Sequence, residues 1–320
     1  MKIAREVVLG TAIALATFGY ASAQDWPTRN VTVVVPIPAG VASDIIARVV
    51  FEQVGRQVGQ AFVIENRPGA GGTIGANAVA KAAPDGYTIL VYGSIAAANA
   101  LYAQLPYDTV ADFVPVVPFG ETPLVVVTAV GRYKTLAELL AAAKAKPGEL
   151  NYASVGIGSA AHFGAVRLAA SAGITVQHVP FKGPEWLTDT IAGRVDFSVL
   201  PVTTVIGQIR DGKLTALAVS SAKRAASLPD VPTLLEAGLK ADAIYPFYTG
   251  AYLPSKTPRA IVDKLHDEVT QALAVSSVQE RLAKIGVEKL PMTVAEFEKF
   301  FKDDVANNLA LVNEAHIPKQ

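Results

Sequence analysis

The chain has 320 residues, with 28 Lys plus Arg against 28 Asp plus Glu and no cysteine. This balance gives no electrostatic reason to expect nucleic-acid binding, and the lack of cysteine excludes disulfides and thiol chemistry. The hydrophobic fraction of 51% is spread through short Val and Ala runs. After the N-terminal segment, no stretch approaches the roughly 18 uninterrupted apolar residues of a membrane helix.

Lys2 and Arg5 make a basic start, with Glu6 unusual there, and Val7 to Ala23 carries no charge. Ala21-Ser22-Ala23 has the small-residue spacing of a cleavage site, so a signal peptide is expected over 1–23, cut after Ala23. No cysteine follows for a lipid anchor, and a soluble periplasmic protein of about 297 residues and net charge −1 is the expected product.

Next comes the stretch that organises the chain, Val31 to Arg48. Val31–Val35 reads as a buried parallel strand. It enters a loop of Pro, Ala and Gly, then Ser43-Asp44, residue types that cap helices. Ile46, Val50, Val54 and Val58 recur at helical spacing, and Asp44, Arg48, Glu52 and Arg56 share the opposite face. In an open α/β sheet such a strand–loop–helix junction is where anions are held. Further strands are expected at 61–65, 88–92, 124–130, 150–154, 175–179, 195–200, 214–220 and 249–253. Helices are expected at 73–83, 135–145, 160–171, 185–192 and 202–211. After Leu253 the pattern turns helical, over 257–275, 277–285 and 293–313. No internal repeat is evident.

The alternation predicts an α/β protein of the periplasmic-binding-protein type, with largely parallel sheets. The first run ends at Pro115–Pro118, and Thr249–Leu253 reads as a return crossing. The expected layout is a discontinuous first domain (24–123 with 251–320), a second domain (124–250), and a ligand cleft between them.

A second loop of the same kind spans Asn151 to His162, where Gly156 and Gly158 precede a possible Ser159 cap. An ordinary capped helix fits this segment equally well. Ser159 lacks the G-x-S-x-G setting of a nucleophile elbow. Gly69 to Gly75 misses dinucleotide-loop spacing. His162, His178, His266 and His316 form no zinc-type pair, so neither metal nor cofactor is expected. Phe181-Lys182 and Tyr245 to Tyr248 offer cleft-facing aromatics or plain packing.

Together these segments resemble the solute-binding receptors of tripartite tricarboxylate transporters, the Bug family. The resemblance rests on Trp26-Pro-Thr-Arg29, Val35-Pro-Ile-Pro-Ala-Gly40 with Asp44 and Ala47-Arg48, and Glu65 to Gly72 with Ile74-Gly75. It continues through Pro84 to Thr88, Leu105 to Asp108, Tyr152 to Ser154, Gly158-Ser159 with His162, Pro180 to Gly183, Val231 to Thr233 and Glu236 to Gly238. It implies two α/β domains that close on a small organic anion, with both loops presenting backbone amides to one carboxylate. The ligand-binding residues it implies are Ile37, Ala39, Gly40, Val41, Ala42, Asp44, Ser94, Ser154, Gly158, Ser159, His162, Phe181 and Phe247. Asp44 is open between capping the helix and selecting a ligand. No catalysis is implied. The implied partners are a carboxylate and large and small permease subunits, with the receptor a monomer. A sensor accessory for a two-component system is the alternative, and a periplasmic enzyme a remote one. Ile37, Val41, Phe181 and Trp186 depart from the family pattern, and this added apolar surface points to a bulkier or aromatic acid.

Overall fold

The computed structural model describes residues 26–245, 247–314 and 319, so the expected leader and cleavage site lie outside the described residues. Two five-stranded sheets carry the architecture. The first contains β1 (Val31–Val35), β2 (Phe62–Asn66), β3 (Thr88–Tyr92), β4 (Phe113–Thr122) and β10 (Phe247–Pro254) in the order β2-β1-β3-β10-β4. The second contains β5 (Leu124–Ala129), β6 (Asn151–Ser154), β7 (Gln177–Pro180), β8 (Phe197–Pro201) and β9 (Leu214–Val219) in the order β7-β6-β8-β5-β9.

The two orders have the same form. In each sheet three strands pair in parallel, and one reversed strand is inserted before the last. The reversed strand is the one that arrives from the other sheet: β5 directly after β4, and β10 after β9. This likeness is invisible as a sequence repeat because backbone topology, not side chains, carries it. β1 (Val-Thr-Val-Val-Val) is a continuous β-branched run because it is an interior strand, paired with β2 and β3 on its two edges, with all four of its valines buried.

Helices follow the strands: α1 (Ala42–Val58), α2 (Thr73–Ala80), α3 (Ile95–Leu101), α4 (Leu136–Ala145), α5 (Ala160–Ala172), α6 (Glu185–Ile191) and α7 (Val202–Arg210). The C-terminal part supplies α8 (Arg259–Ala274), α9 (Ser276–Lys284) and α10 (Val294–Glu314). Most expected elements lie within two residues of these bounds. On α1, Ile46, Val50 and Val54 are buried as the spacing requires, but Asp44 is buried too.

Two elements depart from the sequence reading. β4 runs through Pro115 and Pro118, which looked like the end of a unit. It is the edge strand of its sheet, paired along its length with β10 and bridged to Glu288 at Glu121, and both prolines lie beside register shifts of the β10 pairing. Edges and bulges are where a strand tolerates proline. α3 shows no amphipathic period because almost all of it is buried. It packs against α10 while Ala97, Ala100 and Leu101 join the core of the second sheet. α10 likewise puts Phe297 and Phe301 in the first core and Val312 in the second.

The turn after β3 tolerates no side chain at Gly93. A Cβ there would stand 2.4 Å from the Phe247 ring and 2.5 Å from the Tyr248 carbonyl oxygen. Gly93→Ala is expected to cost about 1–3 kcal/mol in urea unfolding, and an unchanged midpoint would show that β10 can shift to admit it.

Candidate functional site

The crossings set the strand ends against one another. Between the sheets lies a narrow cavity of about 20 Å³. The first sheet and the loops at its strand ends contribute Ile37, Val41, Ala42, Ser43, Tyr92, Ser94 and Phe247. The second contributes Val155, Ser159, Ala160, Ala161, Trp186, Leu200 and Pro201. Four strand-to-helix junctions therefore meet here: β1–α1, β3–α3, β6–α5 and β8–α7. Each of these helices starts at the same space, positive dipole end first, although the Ala42 and Val202 N–H groups are already donated within the protein.

The first loop is shaped from behind by Asp44, which is 2% exposed. Its carboxylate accepts from the Gly40 N–H at 2.9 Å, from Arg48 Nε at 3.1 Å and from Asn66 Nδ2 at 3.0 Å. Burial pushes this carboxyl up, but the Arg48 guanidinium and the two amide donors outweigh it and hold it below the usual range. Asp44 is thus saturated by the protein, which favours the structural reading of this residue over ligand selection. The Gly40 amide, expected as a ligand donor, is committed to Asp44. Ala39 and Gly40 are exposed and do not line the cavity. The Ala42 N–H crosses to Thr204 Oγ1 on α7 at 3.2 Å.

In the second loop Ser159 caps α5, donating to the Gly156 carbonyl at 2.6 Å and accepting from the His162 N–H at 3.3 Å. Gly158 has φ +81°, and its Cα is pressed against Ala98 and Tyr102 on α3, where a Cβ would come within 3.1 Å of both. Tyr102 donates to the Ile157 carbonyl at 3.1 Å, tying the loop to the first unit. Ser154 bonds His178 Nε2 at 2.6 Å and accepts from the Gly156 N–H at 3.0 Å. His162 stacks on His178 with centroids 4.2 Å apart, and its Nδ1 receives the Gly158 N–H at 3.3 Å. Ser154, Gly158 and His162 therefore support the loop without lining the cavity, and His162 offers no charged donor to it. Phe181 is half-buried against the cluster that holds Val125, Trp186 and Val205, and does not line the cavity.

Of the residues expected from sequence, Ile37, Val41, Ala42, Ser94, Ser159 and Phe247 come together around the cavity. Ser43, Tyr92, Val155, Ala160, Ala161, Trp186 and the Leu200-Pro201 pair also line it, beyond the set implied by the sequence. The last pair carried a usable signal, since β8 ends in the same strand–helix punctuation as β1 and β6. Among the described residues, no group of three or more His, Asp or Glu side chains is placed to hold a metal ion.

Burial lowers the imidazoles, His162 to about 3, with the His178 charge adding to the effect, and His178 to about 4. The folded protein then binds fewer protons than the unfolded chain below about pH 6.5. Stability should fall as pH drops through that window and be unaffected above it. Asp304 opposes this: burial raises its carboxyl to about 6, so its contribution is present below pH 3.8 and lost as pH rises through 6. Urea unfolding at pH 7 and 4.5 should show a His162→Gln/His178→Gln double variant losing less stability on acidification than the parent, by up to about 1.4 kcal/mol per pH unit for each histidine. Equal losses would contradict the neutral buried pair.

Comparison with known proteins agrees with this geometry. The family model described as the tripartite tricarboxylate transporter family receptor matches residues 46–317. Protein BugT of Bordetella pertussis is 34% identical over 310 residues, covering 94% of this chain and 95% of its own. Two solved structures from Rhodopseudomonas palustris are similar throughout. MatC (Rpa3494) with bound malate has a TM-score of 0.85 at 32% identity, covering 90% of this chain and 100% of that one. Rpa4515 with adipate has a TM-score of 0.87 at 31% identity, covering 92% and 100%.

Proposed function

Because the chain belongs to the tripartite tricarboxylate transporter receptor family, we propose that it captures a small organic carboxylate between its two sheets and delivers it to a membrane permease of one large and one small subunit. The observation that carries this reading is the convergence of helix N-termini from both sheets on one cavity, together with the hydroxyls of Ser43, Ser94 and Ser159. Such ends attract anions without any cationic side chain. The malate and adipate in the two similar structures support the same ligand class. The role is binding, in line with the family's receptors, and the site residues act by holding ligand.

The working cycle is a hinged clamp. The units 24–123 with 251–320, and 124–250, rotate about the crossing strands, and a carboxylate that touches both α1 and α5 stabilises the closed form. The Ala42–Thr204 bond and the Tyr102–Ile157 bond mark the closed contact surface. Export to the periplasm, with cleavage after Ala23, completes the proposal.

A thermal-shift screen of organic acids tests it. An acid at 100 times its dissociation constant should stabilise the protein by about 2.7 kcal/mol. No shift with any mono-, di- or tricarboxylate at millimolar concentration would overturn the reading.

A further inference from the structure

The polar and apolar parts of the cavity are very unequal. Its side-chain donors are the hydroxyls of Ser43, Ser94, Ser159 and Tyr92 and the indole N–H of Trp186, and no Lys, Arg, His, Asp or Glu lines it. Three of the four hydroxyls are already engaged: Tyr92 donates to the Gly71 carbonyl, Ser159 to the Gly156 carbonyl, and Ser43 Oγ pairs with Thr249 Oγ1 at 3.3 Å. At α7 the first helical N–H, that of Val202, is donated to the Pro123 carbonyl at 2.9 Å. What is left suits one carboxylate, placed where the first turns of α1 and α5 face each other. The rest of the lining is Ile37, Val41, Val155, Trp186, Leu200 and Phe247. A second ionised carboxylate pressed against these side chains would lose its hydration with nothing in return.

Shape narrows the choice further. The enclosed space of about 20 Å³ holds no more than one water, so any ligand must part the walls. A flat ring needs them parted by one ring thickness, roughly 3.5 Å, whereas a folded or branched chain needs more. The walls also carry two aromatic side chains. Trp186 and Phe247 are 4% and 3% exposed, and both are held from behind, Trp186 within the cluster that also holds Val125 and Val205 and Phe247 against Gly93. Aromatic pairs gain from offset or edge contacts beyond the area they bury.

We propose that this cleft selects a planar aromatic monocarboxylate, with its carboxylate at the first turns of α1 and α5 and its ring against Trp186 and Phe247. The proposal rests on the carboxylate-receptor reading above, and its test separates the two.

Calorimetric titration of the purified protein with benzoate, hexanoate, adipate and malate is the direct experiment. Benzoate is expected to bind at least tenfold more tightly than hexanoate, an apolar monocarboxylate that is not planar, and than either dicarboxylate. Trp186→Leu should reduce the preference for benzoate over hexanoate at least fivefold. The chain has two tryptophans, so emission from Trp26 and the unfolding midpoint report whether that variant is folded. Phe247→Leu provides a second variant with the same expected loss of preference. Hexanoate, adipate or malate binding as tightly as benzoate would overturn the aromatic selection and leave the carboxylate reading standing. An unchanged preference in both folded variants would overturn the placement of the ring. No binding of any of the four acids would overturn the carboxylate reading, and the selection with it.

Discussion

Everything at the cleft depends on the chain crossing twice between the sheets. Residues Thr122 to Leu124 carry it over, and the stretch after Val219 brings it back into β10. The outgoing and returning strands are themselves paired, with Thr122 opposite Phe247 and Glu121 opposite Tyr248. Ser220 reinforces the junction: its N–H donates to the Leu124 carbonyl at 2.8 Å and its Oγ to the Tyr245 carbonyl at 3.2 Å. Because the two sheets have the same strand order and exchange one strand each, the strand ends that launch helices are brought face to face. The proposed anion site rests on that geometry and on the helix dipole, with no charged side chain required.

The charged and ionisable groups nearby act one layer back. Asp44, Arg48 and Asn66 fix the first loop, while Ser154, His162 and His178 fix the second. Groups placed this way pre-organise backbone N–H groups and leave the cavity wall itself uncharged. Binding specificity then falls to shape and to the apolar side chains that line the cavity.

Most of the fold was legible because β-branched runs and helical spacing alternate cleanly along the chain. β4 and α3 were not, for opposite reasons. Proline argued against a strand at a place where only an edge strand runs, and α3 has no polar face because it is covered on all sides. The two loops were legible as strand–loop–helix junctions. The aim of individual side chains was not: sequence places Asp44 and His162 at the loops, but the direction each one faces is set by Asn66 and His178, distant in the chain and adjacent only after folding. Trp186 stands in a short helix whose contribution to the cavity depends on the same tertiary placement.

The central claim is that backbone amides at the starts of α1 and α5 hold one carboxylate. The most direct measurement is an amide NMR titration of the labelled protein with a carboxylic acid ligand and with its uncharged carboxamide. The account predicts saturable shifts at Ser43 and Ala161 with the acid, and at most weak ones with the amide. Equal shifts with both compounds, or shifts confined to the apolar groove lined by Phe119, Leu273 and Leu290 on the first unit, would contradict it.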